Sequence, residues 1–267
     1  MNVKKYITLV RAGMIEALQF RLGTAVIIIG NLIYLVIVYY LWKAIYASVN
    51  TPVVNGMTFQ DTLIYLVLAT ALFYFMEDYM VFLMGRDIQT GKIILNLLKP
   101  MNFRRYMFFQ NFGGNLMSFF ITFLPTSIIV YIVVKGSIHL GVNLIFFIIG
   151  VIFGLIINYY INFFVSTICL YTESTWGINI MKEVIVSLLS GATIPLAFFP
   201  TVFGNVVMFL PFQAIYNTPL RLLIDHNMSN ATRVSMIGVQ LFWVLFIGII
   251  SDIFWKKSLK IITVNGG

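Results

Sequence analysis

Charge is what this chain has least of. Only 10% of its 267 residues are Asp, Glu, Lys or Arg, whereas 60% are hydrophobic, and the mean hydropathy is +0.96. A water-soluble domain of this length has no interior large enough to bury so much apolar surface, so a bilayer has to be part of its solvent. Cysteine is reduced to Cys169, inside an apolar run, which excludes an intrachain disulfide and a cysteine-rich metal motif. The two histidines, His139 and His226, stand far apart.

Catalytic signatures are missing too. No GxxxxGK[ST] loop is present, so the chain does not itself hold nucleotide in a P-loop. There is no HExxH, and no spacing gathers Ser, His and Asp or pairs acids with a histidine. The expectation is a non-enzyme with no cofactor or metal of its own. Residues 1–21 carry Lys4, Lys5, Arg11, Glu16 and Arg21 without a continuous apolar core, so no cleavable signal is expected. The net charge of +8 is no nucleic-acid footprint, because the basic residues fill the gaps between apolar runs, where they report topology.

Those runs predict an all-α, polytopic membrane protein formed as one permease-like domain over 1–267. Six spans are expected at 22–42, 62–83, 111–134, 140–170, 184–199 and 234–254. Residues 3–20 read as an amphipathic helix lying on the cytoplasmic leaflet. Pro125 predicts a kink in the third span, with Thr122, Thr126 and Ser127 able to satisfy the freed backbone. Thr51-Pro52, Asn55-Gly56 and Lys135-Gly136-Ser137 mark outer turns, and 171–183 an inner loop holding Glu173, Lys182 and Glu183. The uncharged stretch 184–220 holds Gly191, Pro195, Pro200, Gly204, Pro211 and Pro219, so it is not one straight helix. A seventh span would put Lys256, Lys257 and Lys260 outside, against the positive-inside bias. The alternative is a broken re-entrant element at 201–224. With six spans, thirteen basic residues lie inside and four (Lys43, Lys135, Arg221, Arg233) outside, which sets both termini in the cytosol of a cell membrane. Sequons at Asn227 and Asn230 fall on the outer side.

Polar residues within the apolar runs are the candidate sites. Glu77 lies about 22 Å down the second span, which places Glu77 and Asp78 near the inner interface. They read either as a polar hinge that ties the second span to the 85–105 segment, or as acids that are solvated at the interface or paired with Arg86. Asn158, Asn162 and Ser166 share one helix face, as passage lining or as interhelical hydrogen-bond partners. Asn31, Tyr34, Pro195 and Pro200 complete the candidate passage. The basic segment 85–105, GRDIQTGKIILNLLKPMNFRR, reads in its middle as a short amphipathic helix ended by Pro100. Ile88, Ile93, Ile94, Leu97 and Leu98 take one flank, and such a helix either lies on lipid or docks on a soluble partner.

This layout resembles the permease subunits of type 2 ATP-binding cassette exporters. DIQTGKIILNLLKPMNF (87–103) is similar to a segment of a bacterial drug- or viologen-export-like branch: an acid, three residues, Gly, five residues, Leu-Leu, a basic residue and Pro. GATIPLAFFP (191–200) and LPFQAIYNTP (210–219) resemble the same branch. The resemblance implies a separate cytosolic ATPase dimer that supplies ATP and Mg chemistry, and a second permease chain, identical or related. It implies a coupling helix over 87–98, with Asp87, Gly91, Ile94, Leu97 and Leu98 in it and Lys99 and Pro100 anchoring it. The expected function is export of a hydrophobic or amphipathic compound. The alternatives are a gradient-driven carrier, or a scaffold or immunity protein that transports nothing.

Overall fold

The computed structural model describes residues 3–19, 21–49, 51–134, 141–172, 175–225 and 228–261. The expected turn at Lys135-Gly136-Ser137, Glu173, and the sequon residue Asn227 lie outside the described residues. Helix α1 (Val3–Gln19) leads into α2 (Arg21–Ser48). A two-stranded hairpin follows, β1 (Val53–Val54) and β2 (Met57–Thr58), with Val53 opposite Thr58. Its turn is Asn55-Gly56 with φ of 50° and 80°, the left-handed pair that a tight hairpin demands and that this dipeptide tolerates. Thr58 ends the hairpin and caps α3 (Phe59–Met76) in a reciprocal box with Asp61.

After α3 come α4 (Met80–Gln89), α5 (Ile93–Leu97) and α6 (Phe103–Ser118), which continues through a π turn at Phe119–Phe123 into α7 (Leu124–Val134). Then follow α8 (Val142–Ile168), α9 (Thr175–Leu189), α10 (Thr201–Met208), α11 (Asn217–Ile224) and α12 (Asn230–Ser258). Among the described residues, five helical stretches are long and apolar enough to cross a membrane: Ile28–Ser48, Phe59–Gln89, Phe103–Val133, Val142–Ile168 and Asn230–Ile261.

The chain is organised around α3 and α8. The most apolar part of α3 is 56% buried, against 11% for α2, so α3 is central and α2 peripheral. The larger core joins α3 to α8 and to the 214–223 region, with Leu68, Leu72, Ile157, Ile215 and Leu220 almost fully enclosed. A second core lies beyond the end of α3, where Phe103 stacks on Trp255 at 4.8 Å beside Met80, Met84, Ile93 and Phe163.

Several sequence expectations change here. The expected span 62–83 is two helices, interrupted at Glu77–Tyr79. Around Pro125 the helix is not regular α: a π turn over Phe119–Phe123 stands just before it, and Thr122 Oγ1 donates to Ser118 O at 2.5 Å. The expected fifth span at 184–199 is not one helix: α9 runs Thr175–Leu189, the chain turns at Gly191, where φ is +80°, and α9 is not among the five long apolar stretches. Charge misplaced that boundary. Glu183 is satisfied on the helix itself, by Asn179 Nδ2 at 2.6 Å and Lys182 Nζ at 3.8 Å, so the charged residues sit within α9. The amino-terminal helix has a protein partner. Gly13 of α1 crosses Gly113 of α6 so closely that a Cβ on either would collide with the other helix's backbone, while Ile7, Ile15 and Leu18 stay exposed.

The 201–224 region is α10, a short 3-10 turn at Phe212–Ala214, and α11. Residues 213–220 are all buried. Irregular backbone at such depth needs internal partners. Gln240 Nε2 of α12 supplies them, donating to Ala214 O at 2.7 Å and Gly150 O at 3.0 Å. A Cβ at Gly154 would lie 2.6 Å from Ile215 O, so the glycine admits this backbone against α8.

Candidate functional site

The interruption of α3 is where polar chemistry concentrates. Glu77 leaves the helical region with ψ of 133°, and Asp78 Oδ1 accepts the Met80 N–H at 2.7 Å, starting α4 in an Asx turn. The carbonyls freed by the break are taken up by two asparagines. Asn115 Nδ2 of α6 donates to Phe75 O at 2.8 Å and to Glu77 O at 3.1 Å. Asn158 Nδ2 of α8 donates to Met76 O at 2.8 Å. One turn on, the buried Asn162 hydrogen-bonds Asp78, and its Oδ1 has no partner among the described residues. Ser166 donates within its own helix, to Asn162 O at 2.6 Å. Lys182 of α9 approaches from the other side, so Glu77, Asp78, Asn158, Asn162 and Lys182 surround one narrow space of about 30 Å³.

Sequence reading listed the acids and the asparagines under separate roles, and the structure brings them together. It missed Asn115 and Lys182. Asn115 left a signal: an amide placed early in an apolar span, where some partner has to be found.

Three cavities follow α3 along its length. The small one at the break shares Phe73 with a second of about 220 Å³, lined by Tyr34, Thr70, Phe73, Tyr74 and Thr193. A third, about 520 Å³, opens by the hairpin at Asp61, Tyr65, Pro195, Asn217 and Arg221. From Asp61 to Glu77 is about 24 Å of helix. Between the second and third cavities Tyr65 OH donates to Gly191 O at 3.0 Å, and Asn217 N–H to Ser190 O at 3.1 Å. Of the other candidates, Pro200 is exposed at the start of α10. Asn31 lies apart on α2, its Oδ1 buried with no partner among the described residues.

The expected helix 87–98 is not continuous either. Asp87 belongs to the last turn of α4. That helix stops because Gly91 adopts φ of +72°, with Thr90 N–H donating to Arg86 O and Gly91 N–H to Ile88 O. Helix α5 then makes little more than one turn. Ile93 is fully buried, and Ile88, Ile94 and Leu97 pack on the second core. Leu98 was expected on that flank but is 75% exposed, and Leu95 is 63% exposed. A polar chain clamps the two helices: Asn96 Nδ2 donates to Asp87 Oδ2 at 2.9 Å, and Lys99 Nζ donates to Asn96 Oδ1 at 2.7 Å and to Tyr106 OH at 2.6 Å. Pro100 follows at the exposed surface. Gly85 of α4 touches Thr175 at the start of α9, so this segment also meets the helix that carries Lys182. The geometry is a clamped, two-helix knuckle that exposes Leu95 and Leu98 along with the basic Arg86 and Lys92.

Comparison with known proteins returned one family. A model described as ABC-2 family transporter protein matches residues 32–266, from within α2 to the residue before the last. No curated protein matches the chain.

Proposed function

Because this chain belongs to the ABC-2 family of transporter proteins, we propose that the 80–100 knuckle is its coupling element and that the chain exports a hydrophobic or amphipathic compound on ATP hydrolysed by a separate cytosolic ATPase dimer. The observation that carries this reading is the knuckle's outward face. Leu95 and Leu98 are exposed on the same segment that exposes Arg86 and Lys92, while Ile93, Ile94 and Leu97 anchor the turn to the core. Anchored and exposed apolar residues on one short element are what a helix needs to transmit force from a docked partner.

Motion at the knuckle reaches the membrane through the break. Helix α4 leaves α3 at Glu77–Tyr79, so a tilt of α4 pivots there and pulls on Asn115, Asn158 and Asn162. The cargo path runs along α3 past the three cavities. Phe73 and the Tyr65–Gly191 contact are its two constrictions, and Tyr34, Asn158, Asn162 and Pro195 contribute to its walls. The six-span topology takes α9 as fifth span and 201–224 as the re-entrant element. Both termini lie in the cytosol of a cell membrane, and a second permease chain, identical or related, covers the exposed face of α2.

A mild-detergent pull-down of the tagged chain from its native membrane tests the assignment. The expected result is a stoichiometric P-loop ATPase whose hydrolysis responds to the permease. Leu95→Asp with Leu98→Asp should weaken that association while the permease stays folded. A chain that purifies alone and stable, or an ATPase that still binds the Asp variant with full affinity, would sink the coupling assignment.

A further inference from the structure

A cavity of about 400 Å³ opens between α1, α4, α5 and α6, on the side of the knuckle facing α1. From its lining we infer a binding site for the phosphodiester headgroup of an anionic phospholipid of the inner leaflet. The inference rests on the reading that the knuckle faces the cytosol.

The volume suits a headgroup and falls within the range of small-molecule sites. Arg86, Lys92 and Lys99 line it together with Glu16 and Asp87. Three cations less two carboxylates leave one positive charge, which matches a single phosphodiester. Of the two acids Asp87 already accepts the Asn96 amide, whereas Glu16 is exposed at the rim. Arg86 and Lys92 are exposed, and their side chains make no hydrogen bond or ion pair among the described residues. Lys99 is pre-positioned by Asn96 and Tyr106, which hold its ammonium in place at no further ordering cost. Arg104, which sequence position would add to the cluster, points elsewhere, to Gly248 O at 3.1 Å and Asp252 at 3.5 Å on α12.

Apolar surface completes the match. Leu83, Leu95 and Met107 line it beside the amides of Gln110 and Asn111, and on α1 Ile15 and Leu18 are exposed on either side of Glu16. A soluble phosphate would gain nothing from that edge, whereas a lipid places its glycerol and first methylenes there. A lipid seated here touches α1 and both helices of the knuckle, so occupancy holds the coupling element against the amino-terminal helix.

The test uses the full chain, purified in detergent and exchanged against vesicles of phosphatidylcholine containing phosphatidylglycerol, with retained lipid read by native mass spectrometry. Wild type should keep phosphatidylglycerol over phosphatidylcholine. Arg86→Gln with Lys92→Gln should lose about thirtyfold in that preference, since each basic residue near an anionic surface contributes roughly fivefold. Both residues are exposed, so the fold does not depend on them, and Glu16→Gln should shift the preference the opposite way. Equal retention of the two lipids by wild type, or an unchanged preference in the double variant, overturns the site. Glycerophosphoglycerol, the same headgroup without acyl chains, separates the sources. Displacement at millimolar concentration overturns the lipid assignment, and resistance to it supports the assignment. The orientation is read separately, by labelling Lys92→Cys in intact cells with an impermeant maleimide. Labelling from outside would refute the cytosolic placement of the knuckle and leave the headgroup measurement standing on its own.

Discussion

Replacing Asn158 with leucine isolates what the polar break contributes. The two side chains have similar volume, so packing at this buried position changes little. What is lost is the 2.8 Å bond from Nδ2 to Met76 O. That carbonyl stands where α3 has stopped, and the normal donor one turn on, the Met80 N–H, is already given to Asp78. Side-chain hydrogen bonds in membrane proteins contribute about 0.6 kcal/mol on average and up to roughly 1.7. A buried carbonyl left unpaired costs about 1–3 kcal/mol. Asn158→Leu should therefore destabilise the chain by about 1–2 kcal/mol, a drop of roughly 2–8 °C in Tm for a chain of this size class. The matched control is Asn31→Leu. Its Oδ1 is buried with no partner among the described residues, so the substitution should be neutral or slightly stabilising. Thermal unfolding of both variants in one detergent, followed by tryptophan fluorescence, decides it. Equal losses would refute the account of the break, because then any amide in the apolar region would matter as much as one that closes a broken helix.

Three further outcomes follow from local geometry. Gly91→Ala should loosen the knuckle by about 1–2 kcal/mol, because an L residue is strained at φ +72° even though a Cβ there meets no neighbour; Gly91→Asn should cost less, and protease nicking near Thr90 reads the difference. Gly13→Val or Gly113→Val should separate α1 from α6, since any Cβ at either glycine runs into the facing backbone, and faster amide exchange confined to α1 would report it. Asp252→Asn should cost at most about 1 kcal/mol, because its pairs with Arg104 and Lys256 are about one-third exposed on the carboxylate side; Arg104→Ala should cost more, through loss of the Gly248 carbonyl contact and of the guanidinium over Tyr160 at 5.3 Å. A double-mutant cycle separates the two contributions.

The long elements were legible because hydropathy reports them directly. The apolar runs, the Asn55-Gly56 turn and the broken character of 201–224 all stand in the sequence as composition or turn chemistry. The helix ends were harder, and the errors share one cause. Read as punctuation, charge puts Lys182 and Glu183 at the end of a loop, whereas they lie within α9, and puts Glu77 and Asp78 on a continuous helix, whereas they interrupt one. A charge marks an interface only when water is its partner. Here Glu183 has Asn179 and Lys182, and Asp78 has a backbone N–H and Asn162. Those side-chain partners stand 1, 4 and 84 positions away, the remaining one is folded backbone, and hydropathy carries no trace of them. The knuckle shows the same limit in reverse. Its glycine was visible, but a glycine alone does not say whether a helix tolerates it or stops there.

The break and the knuckle also explain each other. Had α3 run on without interruption, the chain from Phe59 to Gln89 would be one rod of about 45 Å, stiff enough to carry a push from its end straight along its axis. Under the proposed coupling, cutting it at Glu77–Tyr79 would turn that push into rotation of α4 about a point held by α6, α8 and α9. The polar residues at the cut therefore have two tasks with opposite demands. Asn115 and Asn158 close the carbonyls of the outer piece and keep α3 fixed, whereas Asp78 opens the inner piece as the cap of α4. Under that proposal, fixing one piece and starting the other with separate side chains would let α4 swing while the bonds that hold α3 stay made. A hinge made only of glycine would move as easily but would leave three carbonyls bare in an apolar surround, at about 1–3 kcal/mol each. The asparagines make the interruption affordable in a membrane, and that is the physical reason for polar residues to gather there.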